Sequence, residues 1–355
     1  MSRLKRCWSR PAFVVGGVRF QAVDCALAAM LRGDWSKFER QLAEGLAGAA
    51  HAVAHRSGPA PEAIEAAGTA FRYDRDLISA EEMNAWLERS EISVDEWTGY
   101  LRRDLLRQTL RDSIDDVIDR HQPTARHLID TAVAEGVCSR SFDAFEAAFA
   151  GRAALVGDVR AHVAPPDEAT PSGGAAAQLV HTYPHWLSML PAADTLARAQ
   201  RVVAIEAAYD AAVERLFSQT PLTEVVHSHR MEWRLIEIDT VTFATESAGR
   251  EAVLCMTDEG LSLHDVASLS GGTVERRLHF ADEFDADMSD GLLSVDVGGL
   301  VGPTAGAGGF EVTRVVRCTP PSAEDPRVAE RARHVVTEAA IRVAVRERVT
   351  RPHQA

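Results

Sequence analysis

The chain has 355 residues, enough for two or three domains of roughly 100–200 residues each, and its 46% apolar and 25% charged content is ordinary for a protein that buries a core. Its 38 basic and 52 acidic side chains give a formal charge of −14, which repels phosphate backbones and anionic lipid and argues against general nucleic-acid or membrane binding. No run approaches the ~18 apolar residues of a membrane span.

The first ten residues carry Arg3, Lys5, Arg6 and Arg10, and the apolar run Pro11 to Val18 follows. Gly16, Gly17 and Arg19 interrupt that run too early for a secretory signal, so the start reads as a mature N-terminus and the setting as cytoplasmic. Cys7, Cys25, Cys138, Cys255 and Cys318 are scattered, with no metal-ligand or redox spacing, and read as buried free thiols.

Residues 20–163 read as helices. Apolar positions recur at three- and four-residue spacing through Phe20, Val23 and Leu27, and again through Phe38, Leu42 and Leu46. Ser79-Ala-Glu-Glu82 and Ser93-Val-Asp-Glu96 both have the capping-box form, in which serine and glutamate satisfy each other's backbone N–H. The second box opens a long helix through Trp97, Leu101 and Leu105 toward His121. A further helical segment over 125–163 is expected to break at Gly136 and restart near Ser141. Residues 164–177, rich in proline, glycine and small side chains, read as a mobile linker. A helix over 193–217 follows, with Leu196, Val203, Ala207 and Leu216 as its buried candidates.

The period then changes to two. Trp233 to Phe243 alternates, setting Leu235, Glu237 and Asp239 against Ile236, Ile238 and Val241, and predicts a strand. Helices are expected over 247–258, closed by Gly260, and over 261–269, closed by Gly271-Gly272. A glycine-rich turn over 306–309 leads into a strand over 310–316. Ser322 to Asp325 caps a last helix, whose apolar stripe is Val328, Val335, Ala339 and Val343.

Residues 233–320 resemble the parvulin-type (PpiC-like) peptidyl-prolyl isomerase domain. The resemblance lies in Gly260-Leu-Ser-Leu-His-Asp-Val-Ala267, in Gly271-Gly272, in the run Leu293 to Gly302-Pro303, and in Gly308-Gly-Phe-Glu-Val-Thr-Arg-Val315. Ile92-Ser-Val-Asp-Glu-Trp97, in the helical arm around 77–120, is similar to the N-terminal domain of SurA-like chaperones. Together these resemblances imply an α+β protein. It would have a mostly helical, discontinuous chaperone domain, built from N-terminal helices plus the C-terminal helix, and a small parvulin-like domain on an antiparallel sheet. The implied order is a helical domain over 1–163, a flexible linker over 164–178 and a helical connector over 179–229. The parvulin-like domain covers 230–320, and a helix over 321–355 packs back on the helical domain.

Active parvulins carry two histidines on neighbouring central strands and an aspartate or cysteine facing the bound proline. The first histidine's strand is here Thr240-Val-Thr242-Phe243, the second's position falls at Phe310-Glu311, and the acidic or thiol position falls near Thr273. None of these residues is of the expected type, which argues for substrate binding without turnover. The resemblance puts a peptide-binding face at Thr240, Thr242, Phe280, Phe284, Leu292, Phe310 and Glu311, with no catalytic residue, metal ligand or cofactor.

Other candidate chemistry has a plainer explanation. Asp285 to Asp296 resembles a calcium loop but has aspartate at the obligatory glycine, so a solvated acidic loop is expected. His227 and His229 read as a surface pair, and Trp86, Trp97 and Trp186 as core. The expected function is a cytoplasmic chaperone whose partners are unfolded proteins or peptides. Two other readings stay open: an active prolyl isomerase, and an accessory of bacterial peptide maturation that binds a ribosomal precursor peptide for its modifying enzyme.

Overall fold

In the computed structural model, which describes residues 3–162, 171–190, 192–306 and 308–351, the chain opens on helix α1 (Arg3–Trp8) and a hairpin of β1 (Pro11–Val15) and β2 (Val18–Gln21). Helices follow: α2 (Ala22–Arg32), α3 (Asp34–His55), α4 (Pro61–Tyr73), α5 (Ala80–Ser90), α6 (Val94–Thr109), α7 (Ile114–Arg120), α8 (Ala125–Cys138) and α9 (Ser141–Val156). Next come α10 (Pro171–Thr182), α11 (Pro184–Leu187), α12 (Ala192–Gln219) and α13 (Leu222–Ser228). The remainder runs β3 (Leu235–Phe243), α14 (Glu246–Asp258), α15 (Leu263–Ser270), β4 (Glu275–Phe280), α16 (Ala286–Ser294), β5 (Leu300–Gly306), β6 (Gly309–Thr319), α17 (Pro326–Arg348) and β7 (Val349–Thr350). This is an α+β fold, mostly helical, with small antiparallel sheets. No helix of the described residues is long and apolar enough to cross a membrane.

The chain divides into two units, 1–214 with 340–355, and 215–339. In the first, Gly16 and Gly17, at φ +57° and +79°, form the two-residue turn of the β1–β2 hairpin. The pair that interrupts the apolar run in sequence is therefore a turn, and β1 pairs on its other side with β7. The core of this unit gathers Trp8, Phe13, Phe20, Trp35, Phe149 and Trp186, all fully buried. Both capping boxes form: Ser79 with Glu82, and Ser93 with Glu96.

Helix ends differ from expectation where tertiary packing decides. The segment after Ser93 bends at 110–113, which lets both α6 and α7 lie on α3. Helix α8 runs straight through Gly136, because the glycine admits the Phe142 ring; a Cβ there would sit 2.4 Å from Phe142 Cε1. It ends at Cys138, and Arg140, at φ +62°, turns the chain into α9. Of the expected linker, 163–170 lie outside the described residues, and Pro171 onward is helix α10. On α12 the buried positions include Ala199, Val202, Val203 and Ile205, whereas Ala207 is exposed. On α17 Val328 and Ala332 are buried while Ala339 and Val343 face solvent, so the buried face is rotated from the expected stripe.

Three buried acids tie the first unit together, and each is held by two arginines. Asp24 meets Arg198 at 3.0 Å and Arg201 at 2.8 Å; Glu135 meets Arg103 at 2.9 Å and Arg107 at 2.5 Å; Glu206 meets Arg32 and Arg152 at 2.8 Å each. Asp24 also accepts the Gln21 N–H at 2.8 Å, at the start of α2. Removing one partner from such a cluster strands buried charge, at about 3–5 kcal/mol. Glu135→Ala should therefore lower the unfolding free energy of the whole chain by that amount, read as a reduced urea midpoint. An unchanged midpoint would refute the assigned role of Glu135.

Candidate functional site

The second unit is built on a four-stranded sheet in the order β4-β3-β6-β5, antiparallel throughout. Central strand β3 distributes its side chains by strict alternation. Val241 and Phe243 pack with Val312 and with Ala252, Leu263, Val266 and Ala267 of α14 and α15. Ile236 and Ile238 point the other way, onto Val315 of β6 and Leu292 of α16. Val241, grouped in sequence with the two isoleucines, thus lies on the opposite face. The expected glycine caps form: Gly260 and Gly271 both stand at φ +72°.

On the α16 face opens a groove of about 570 Å³. Ile238, Phe284 and Met288 give it apolar surface; Thr304, Ala305 and Gly306 of β5 and Glu311 of β6 border it, as does Arg277 of β4. Glu283, Asp285 and Asp287 add acidic groups. The stretch expected as a solvated acidic loop is the start of α16: Asp285 caps the helix by accepting the Met288 N–H at 2.8 Å. Glu283 accepts the Phe280 N–H at 3.0 Å and stands 3.3 Å from His279 Nδ1. Neither β4 nor α16 was anticipated from sequence, although Asp285, with its helix-start residue type, was a legible signal for α16.

The seven expected binding residues divide between the sheet faces. Thr240 is buried, and its hydroxyl lies 3.1 Å from that of Thr313 across the β3–β6 pair. Thr242 is exposed and stands opposite Glu311. Phe284 lines the groove, and Leu292, only 1% exposed, belongs to the cluster beside it. Phe280 instead packs with Trp233, Leu235 and Val328, under the Arg331 guanidinium at 4.4 Å. Phe310 pairs with Phe243, so alternation turns it from the groove. Thr313, missed in sequence, follows Glu311 by two residues and therefore shares its face. No imidazole is among the described residues that line the groove.

The first unit has a smaller, mainly apolar pocket of about 330 Å³ lined by Trp8, Val137, Phe142 and Phe145, with Cys7 and Cys25. Burial pushes both thiols up from their ordinary value, so they are neutral at pH 7 and act as apolar wall. All five cysteines are free; Cys255 and Cys318 are only half-buried. Trp186 is buried, while Trp86 and Trp97 are half-buried around Phe71. His229 stacks on Trp233 with ring centres 4.3 Å apart. Among the described residues, no group of three metal-ligating side chains could hold a metal ion.

In the second unit two helices pack on one face of the sheet and one on the other. No family model and no curated protein matches the chain. Among solved structures it is similar to a peptidylprolyl isomerase (PrsA) from Bacillus cereus, with 10% identity and a TM-score of 0.32, over 60% of this chain and 81% of that one. A peptidylprolyl isomerase (PrsA) from Bacillus anthracis has 10% identity and a TM-score of 0.27, over 55% of this chain and 94% of that one. PrsA from Bacillus subtilis has 12% identity and a TM-score of 0.20, over 59% and 85%.

Two outcomes follow from the sheet. Thr313→Val leaves the buried Thr240 hydroxyl without its partner and should cost about 1–3 kcal/mol, while the double valine variant should recover most of that loss, because both polar groups are gone. Urea denaturation of the two singles and the double measures it; an additive double would disprove the coupling. Asp239, on the α14–α15 side, receives two bonds from Arg276 at 2.8 and 2.9 Å, and these hold its carboxyl below the usual aspartate range. A depressed folded pKa adds stability above the unfolded value of ~3.9 and loses it as the pH falls further. Asp239→Asn should therefore lower stability at pH 7 and flatten its decline below about pH 4 in pH-dependent melts.

Proposed function

We propose that this chain is a peptide-binding chaperone related to the parvulin isomerases, which holds an extended segment of an unfolded protein or peptide in the α16-face groove with little prolyl isomerase activity. The observation that carries this reading is the pairing of Thr240 with Thr313 on the two central strands. The parvulin resemblance implies two histidines on such strands; here two hydroxyls satisfy each other on the sheet face that also carries Ile238 and Glu311 of the groove. Crossing the prolyl barrier of ~18–20 kcal/mol needs groups that favour the twisted amide over the planar one. The groove instead offers surface: one apolar side chain buried against Ile238, Phe284 and Met288 is worth about 1.5–3 kcal/mol. Binding of this kind draws chiefly on burial and requires neither nucleotide nor metal.

The helical unit supplies a second hold in this reading. Its pocket beside Trp8 and Phe142, and the half-buried Trp86 and Trp97, suit apolar client side chains of varied shape, as the SurA-like resemblance implies. The proposed location is the cytoplasm, and the proposed clients are apolar segments, with or without proline.

Titration of labelled proline-containing peptides against the full chain tests the groove. Phe284→Ala should weaken binding about tenfold, and the wild-type chain at high concentration should leave cis/trans exchange of the bound peptide unaccelerated, as followed by exchange NMR. Unchanged affinity in Phe284→Ala would remove the groove from the proposal, and clear acceleration would make the protein an isomerase.

A further inference from the structure

We infer that the groove selects cationic segments: a lysine or arginine next to the apolar or prolyl residue that it holds. This rests on the groove being the peptide site, and deepens that reading by naming the substrate class.

The groove is bordered by four carboxylates and one guanidinium. Three of those five groups are already engaged. Glu283 serves the Phe280 N–H, His279 and Arg331, Asp285 caps α16, and Arg277 is drawn to Glu275 at 2.5 Å. Asp287, in the first turn of α16, and Glu311, on β6, form no salt bridge with any described residue. Both border the same groove as Ile238, Phe284 and Met288. Neither charge is held in a salt bridge, although Glu311 also attracts Arg277, and two such carboxylates beside apolar side chains match a residue pair in which one side chain is greasy and its neighbour is positive. Glu311 lies directly against Gly306, where a Cβ would stand 3.0 Å from its carboxylate, so the glycine makes room for the acid at the groove's edge. The formal charge of −14 steers a cationic segment toward the molecule and keeps acidic segments away.

The test compares three labelled peptides that differ only in the residue before proline (lysine, alanine or glutamate), titrated against the full chain in low salt and in 0.5 M salt. Each exposed charge pair is worth up to about fivefold in affinity at low salt. The lysine peptide should bind about tenfold more tightly than the glutamate peptide, and added salt should shrink that ratio. In the isosteric double variant Asp287→Asn with Glu311→Gln, the ratio should approach one. Equal affinities for all three peptides in the wild type, with binding still weakened by Phe284→Ala, would overturn the charge selection and leave the groove as the binding site. Failure of all three peptides to bind would overturn both. A lysine preference that survives the double variant would also overturn this assignment, because other residues would then supply it.

Discussion

The two-residue alternation of β3 is the constraint on which the second unit depends. Because consecutive side chains of a strand leave opposite faces, Ile236 and Ile238 must meet α16 if Val241 and Phe243 are to meet α14 and α15. The antiparallel register then carries the same choice to β6: Thr313 and Glu311 join the α16 side, while Val312 and Phe310 go to the other. The groove, the Thr240–Thr313 pair on the same face and a glutamate without a salt bridge all follow from that one phase. A slip of one residue would exchange the faces and bury Asp239 where Ile238 now sits.

The first unit is held by a different device. Asp24, Glu135 and Glu206 each draw two arginines, and these arginines come from α2, α6, α9 and α12. Buried ion pairs add little net stability over apolar packing but penalise any arrangement that separates the partners. In this unit, where alanine supplies many helix contacts and few distinctive shapes, such penalties fix which helix faces which. The aromatic core around Trp35 supplies most of the apolar burial; the arginine clamps supply orientation.

Much of the helical order was legible in the residues themselves. The capping boxes at Ser79 and Ser93, the glycine caps at Gly260 and Gly271, the strand over 235–243 and the long final helix all reflect local chemistry: a hydroxyl taking an orphan N–H, a residue without Cβ at positive φ, or a period of two or 3.6. The β1–β2 hairpin is hidden in the sequence because Gly16-Gly17 reads as an interruption of an apolar run rather than as a turn between two strands. β4 and α16 were missed for another reason. β4 is short and largely polar, Glu-Arg-Arg-Leu-His-Phe, and α16 opens within a run of aspartates whose charge outweighed its capping signal. Two of the elements that border the groove therefore leave no clear mark in the sequence.

The sequence alone determined where several helices and the central strand β3 begin, and that β3 carries threonines rather than histidines. Those are properties of single residues and their near neighbours, set by backbone sterics and local hydrogen bonds. Only the tertiary structure decided that Thr240 meets Thr313, that Phe280 and Phe310 turn away from the groove, and that Asp287 and Glu311 border it without salt-bridge partners. Each of these depends on register and packing between segments far apart in the chain, where one residue of shift reverses the face and no local pattern records the choice.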